Sequence, residues 1–171
     1  MTITVIVEDG TGLATANSYV SNAEFVTYHT DRTTDVDNYD VEVVDAAVVE
    51  ASSYADLRWG SRLKSQPLVA TQALEYPRLN LRDKYGNPIE GVPASWKQAV
   101  NIYALEYLKG TLYQTQTPGN TAAITATKVV VGPITTEKKY AESYVPESWK
   151  AFPYADKLAK KYTVARSGVM R

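Results

Sequence analysis

Chemistry needs nucleophiles, acid–base groups or metal ligands at usable spacing, and this chain offers few of them. It has no cysteine and one histidine, His29, which excludes thiolate metal sites, cysteine nucleophiles and any two-histidine metal site. His29 is the right type for a general base. No Gly-x-Ser-x-Gly elbow accompanies it, however, and near a helix end a solvated or capping histidine is the commoner role. Asp35-Val36-Asp37-Asn38-Tyr39-Asp40 gathers carboxylates as a calcium loop does, but lacks the turn glycine and the late glutamate, so it reads as a solvated loop. Gly10-Thr11-Gly12-Leu13-Ala14-Thr15 imitates a dinucleotide fingerprint. Thr15 stands where glycine or alanine belongs, and Glu8-Asp9 would repel a pyrophosphate, so a simple turn fits better. No Gly-Lys-Ser/Thr phosphate loop occurs. With 19 acidic residues some carboxylates must lie close together, but nothing singles out an acid–base pair. No cofactor, metal or catalysis is expected.

What the residues do offer is charge. The net charge of −1 hides a split. From Met1 to Asp56 there are 11 acidic residues and one basic, Arg32; from Leu57 to Trp149 there are 11 basic and 7 acidic. From Lys150 to Arg171 six basic residues (Lys150, Lys157, Lys160, Lys161, Arg166, Arg171) face one acidic, Asp156. Two readings stay open. The acidic surface of one subunit can meet the basic surface of the next, or the two parts can pack together and cancel within one chain. The 13 tyrosines against two phenylalanines lean toward wet, shared surfaces, although Tyr54, Tyr103 and Tyr107 also fit helix cores.

The elements that must position these groups are mostly helical. The 171 residues, 44% hydrophobic and 22% charged, suit one globular domain, 1–171. Residues 1–20 read as an extended arm with a β-branched start, Thr2–Val7. A helix opens at Ser21, with Glu24 at capping-box spacing, and runs to about Thr30, turning Ala23, Val26 and Phe25 inward. Asp31–Asp40 is a polar loop. Val41, Val44, Val48, Ala51 and Ala55 form the stripe of a second helix that stops at Gly60. Four prolines and two glycines make 61–93 a long loop. A third helix starts at Pro93–Ala94 and breaks at Gly110. Lys128–Val131 and Ile134–Glu137 read as a hairpin about Gly132-Pro133. A last helix is expected over Ser148–Tyr162, with Trp149, Phe152, Ala155, Leu158 and Ala159 inward, and 163–171 as a tail. The fold class is mainly α (α+β), a small helical bundle with a β-hairpin and a long Pro-rich loop. No run of 18 apolar residues is present, and the apolar start lacks a basic leader, so no membrane partner is expected and a reducing cytoplasm is the expected setting.

Several motifs, taken in order, resemble a known family. Val7-Glu8-Asp9-Gly10-Thr11-Gly12-Leu13 followed by Ala16-Asn17-Ser18-Tyr19-Val20-Ser21, then Gln66-Pro67-Leu68, Tyr76-Pro77-Arg78, Asp83…Gly86…Pro88-Ile89, Val92-Pro93 and Lys128–Ile134, are similar to the phage head–tail connector (adaptor, head completion) proteins. Tyr76 replaces the family's usual tryptophan, and Thr71-Gln72-Ala73-Leu74 looks inserted between the two proline elements. The resemblance implies a structural virion protein at the head–tail junction, assembled in the host cytoplasm. It implies a ring of identical subunits, typically twelve, beneath the portal, extending the DNA channel toward a downstream tail protein. DNA would then be only passing cargo.

On that reading the basic segment Lys150, Lys157, Lys160, Lys161, Arg166 and Arg171 docks on the portal or a neighbour. The acidic residues Asp35, Asp37, Asp40, Glu42 and Asp45 face the channel or a neighbour's basic side. The Pro-rich loop, through Leu68, Tyr76 and Arg78, makes subunit contacts or else folds back over its own helices. The same family is also described as DnaT-like and single-stranded-DNA-binding. That alternative needs a positive groove with stacking aromatics, and Lys157, Lys160, Lys161 and Tyr162 match it in part.

Overall fold

A computed structural model describes residues 3–116, 126–131, 134–139 and 148–164, with the short strands given as backbone. The chain forms two compact units, one of Met1–Leu112 with Phe152–Arg171 and one of Tyr113–Ala151.

The larger unit is helical: α1 (Asn22–Thr30), α2 (Val41–Trp59), α3 (Ala94–Leu108) and α4 (Pro153–Ala159), with 3-10 turns at Gly60–Arg62 and Lys160–Tyr162. The capping box at Ser21 is made, its Oγ accepting from the Glu24 amide at 3.1 Å while the Glu24 carboxylate accepts from the Ser21 amide at 2.8 Å. The face of α1 that turns inward is Phe25 and His29, one turn apart, whereas Ala23 is exposed and Val26 half-buried. His29 is therefore a core residue, not a solvated cap: its ring packs on Phe25 at 4.5 Å and the Asn101 carbonyl accepts from its Nε2 at 3.0 Å.

Helix α2 buries Val44, Ala47, Val48, Ala51, Tyr54, Ala55 and Trp59 along the expected stripe, with Val41 left exposed in its first turn. Small residues mid-stripe let α2 lie close along α3, whose Trp96, Ala99, Val100, Tyr103 and Ala104 complete the core. Gly110, at φ +69°, lies just past the end of α3 in the left-handed conformation that glycine adopts most easily.

The last helix differs from its expected span. Ser148–Trp149 pairs as a short strand with Thr115–Gln116, and α4 begins only at Pro153, where proline suits the first helical turn. In the smaller unit Ala126–Val131 and Ile134–Lys139 run antiparallel, Ala126 opposite Lys139. The class established is mainly α, and a hairpin as part of the helical bundle is not supported. Most of the expected tail, including Arg166 and Arg171, lies outside the described residues.

The stretch between α2 and α3 has no further helix or strand. It is held by backbone bonds, Leu79 to Gln66 at 2.8 Å, Leu68 to Pro77 at 3.0 Å and Ile89 to Leu81 at 2.8 Å, and by the buried side chains Leu74, Tyr76 and Leu81. Tyr76 stacks at a tilt on Trp96, 4.8 Å between ring centres. This segment covers the unit's own helices.

Helix α4 has only seven residues and holds its place through one buried carboxylate. Asp156, 5% exposed, accepts from Arg58 Nη2 at 2.7 Å and from Tyr103 OH at 2.7 Å, while Trp59 Nε1 donates to that phenol at 3.0 Å. Removing one member of a buried pair leaves the other charge unanswered, at a cost of about 3–5 kcal/mol. Asp156→Ala is expected to lose stability on that order in urea unfolding. Lys157→Ala, exposed on the same helix, should stay within about 0.5 kcal/mol.

Candidate nucleic-acid interface

The end of the larger unit where α2 finishes and α4 runs out is built from two short antiparallel pieces. Lys64 N donates to the Tyr162 carbonyl at 2.9 Å and Val164 N to the Arg62 carbonyl at 2.8 Å, with Leu63 bridged to Thr163. This pairing joins residues a hundred positions apart and gathers Arg58, Arg62, Lys64, Lys160 and Lys161 at one end. Trp59 anchors the group. The guanidinium groups of Arg62 and Arg58 lie 4.5 Å and 5.3 Å, and the Lys160 ammonium 5.2 Å, from its ring centre, so one aromatic ring attracts three cations.

Local carboxylates are already engaged. Asp156 holds Arg58, and Glu75 pairs with Arg78. Asp56, half-buried, accepts from Tyr19 OH at 2.6 Å and from the Glu75 amide at 3.1 Å. Among the described residues Arg62, Lys64, Lys157, Lys160 and Lys161 have no acidic partner within ion-pair distance. On α4 the exposed side chains Tyr154 and Lys157 stand three residues apart, and the 3-10 turn that follows adds exposed Lys160 and Lys161, so an aromatic ring 63% exposed precedes three ammonium groups.

The acidic residues sit at the opposite end of α2. Asp35, Asp37, Asp40 and Glu42 are exposed, and Asp45 is half-buried, accepting from Asn22 Nδ2 at 3.1 Å. The 19-residue helix between the two ends is about 28 Å long. Each pole matches the helix dipole, acids at the N-terminus and cations at the C-terminus.

The remaining candidates divide. Leu68 is 40% exposed, but Tyr76 is fully buried and Arg78 lies inside, bonded to Glu75 and to the Ser65 carbonyl at 3.1 Å, so neither is open for a subunit contact. Lys150 belongs to the smaller unit. Sequence reasoning missed Arg58, Trp59, Arg62 and Lys64. Their clustering comes from a long-range strand-like pairing that no local period announces. The one local signal was the dense Arg58-Trp59…Arg62…Lys64 spacing.

The Gly10–Gly12 turn has a definite occupant. Glu8, buried, takes the amides of Gly10 at 2.9 Å and Gly12 at 2.8 Å on one oxygen and that of Leu13 at 2.8 Å on the other. The loop is a nest for an anion, filled by the chain's own carboxylate. Both glycines adopt positive φ, +100° and +85°. Among the described residues no group of three or more His, Cys, Asp or Glu is arranged to hold a metal, and no helix is long and apolar enough to cross a membrane.

Fold and surface define a small helical protein with separated charge poles and a basic, aromatic-anchored end. The model of the family described as "Putative DnaT-like ssDNA binding protein" matches residues 3–171, and the chain belongs to that family. No curated protein and no solved structure matches it. The comparisons carry the DNA-binding description of the family; nothing in them supports the head–tail connector resemblance.

One carboxyl makes stability depend on pH. Burial raises the Asp56 carboxyl to about 7, against the lowering effect of the Tyr19 and Glu75 hydrogen bonds. The folded chain therefore holds this proton where the unfolded chain, with its ordinary value of 3.8, has released it. The stabilisation is full below the unfolded value and is lost as pH rises through about 7. His29, pushed down chiefly by burial, works in the opposite sense and loses stability as pH falls. The difference between wild type and Asp56→Asn isolates Asp56. Urea unfolding at about pH 5 and about pH 8 should show the wild type losing more stability than the variant as pH rises, by a few kcal/mol.

Proposed function

We propose that the chain binds single-stranded DNA across its basic end, the strand's phosphates lying over Arg62, Lys64, Lys157, Lys160 and Lys161. The observation that carries this reading is the group of cations around Trp59, continued by the exposed side chains of Tyr154, Lys157 and Lys161. Single-strand binding calls for that mixture of positive track and aromatic surface, with no catalytic group. Family membership supports it. The acidic pole does not defeat it: at 0.1 M salt the Debye length is about 10 Å, well short of the length of α2.

A second reading is favoured by the two charge poles on one rigid helix. Copies can assemble head to tail, acidic pole on basic pole, as a closed ring requires. The portal and tail partners implied by the connector resemblance, and a place in the virion, belong to this reading. Light scattering on the purified chain, alone and with a portal ring, tests it, and a monomer in both conditions ends it.

For the first reading, five phosphate contacts on a single strand give a log K against log salt slope of about −3.5. Anisotropy with a labelled oligo-dT should show that dependence, and Lys157→Glu with Lys160→Glu and Lys161→Glu should flatten it by about 2. Undetectable binding at low salt, or unchanged binding by the triple variant, overturns the reading.

A further inference from the structure

Between α1 and α3 runs an open groove of about 430 Å³ whose walls are not those of the basic end. At one end the Arg32 guanidinium lies 3.7 Å from the centre of the Tyr28 ring, and Arg32 itself is exposed, so the outer face of a flat cation is presented to solvent. At the other end Lys97 pairs with Glu24 at 2.9 Å. Asp31 also lines the groove. On the α3 wall stand two amides one turn apart, Gln98 and Asn101. Asn101 is only 4% exposed, and its side-chain oxygen is itself buried, with no hydrogen-bond partner among the described residues, so the amide that the groove can offer is that of half-buried Gln98.

We propose that this groove is a nucleobase subsite, the base stacking on the Arg32 guanidinium and offering its polar edge to Gln98. The proposal rests on the single-strand-binding reading and deepens it. A planar cation backed by an aromatic ring is a stacking platform that accepts any base. Amide side chains read the edges of unstacked bases, adenine best of all because it presents donor and acceptor side by side. Both α1 and α4 pack on α3.

The test compares oligo-dA with an abasic deoxyribose-phosphate oligomer of equal length, using the full chain. The wild type is expected to bind oligo-dA at least about fivefold tighter. Gln98→Ala, and Arg32→Lys, which keeps the charge but loses the plane, should each bring that ratio toward one while leaving abasic binding unchanged. Both substitutions lie outside the core, so the variants fold. Equal binding of the two polymers by the wild type overturns the groove and leaves the basic end standing. A ratio that neither variant changes also overturns the groove. Absence of binding to either polymer at low salt overturns the proposed function and the groove together.

Discussion

A carboxylate buried under a seven-residue helix has to be answered by donors, and Asp156 is answered from both long helices. Arg58 comes from α2 and the Tyr103 hydroxyl from α3, itself steadied by Trp59. Arg58 in turn donates to Tyr54 OH at 2.7 Å, so one charge pair orients four aromatic or cationic side chains. An isolated helix of this length is unstable in water. Packing of Phe152, Ala155 and Ala159 supplies area, but area has no direction. The ion pair fixes the rotation of α4 about its axis, and that rotation decides which of its side chains face solvent. Lys157 and Tyr154 point outward because Asp156 must point inward.

The same constraint explains how a chain of net charge −1 presents a basic end. Each carboxylate near that end is engaged by its own partner: Asp156 by Arg58, Glu75 by Arg78, and Asp56 by Tyr19 and the Glu75 amide. Among the described residues, Asp35, Asp37, Asp40 and Glu42 stand exposed at the far end of α2. Charge that would cancel in a well-mixed chain is sorted by one helix, and screening by salt keeps the two poles independent.

Much of the helical layout was legible in the sequence. The capping box at Ser21, the α2 stripe and the Gly110 stop are local signals, set by side chains within one or two turns. On α1 the sequence points Phe25 inward, as found, but not His29, which is polar by type and becomes a core residue only through the Asn101 carbonyl far along the chain. The prolines and glycines between α2 and α3 mark a loop. That Tyr76 and Arg78 turn inward depends on Trp96 and Glu75, which no period connects to them. The basic end was half legible: its C-terminal lysines were visible as composition, while Arg62 and Lys64 join them only through the pairing of residues 62–64 with 162–164.

The Glu8 nest shows why motif and site part company. Backbone amides converging on a glycine turn are a general anion receptor, and the sequence advertises one at Gly10–Gly12. The structure fills it with a carboxylate four residues or fewer from the amides of Gly10 and Gly12. A ligand phosphate would have to displace a tethered anion whose effective concentration is very high and then leave that carboxylate buried without donors. The nest therefore fixes the chain's entry into the core, where Ser18, Tyr19 and Val20 are buried. On the proposed reading, recognition falls instead to side chains that keep unanswered charge at the surface, the exposed lysines beyond Asp156.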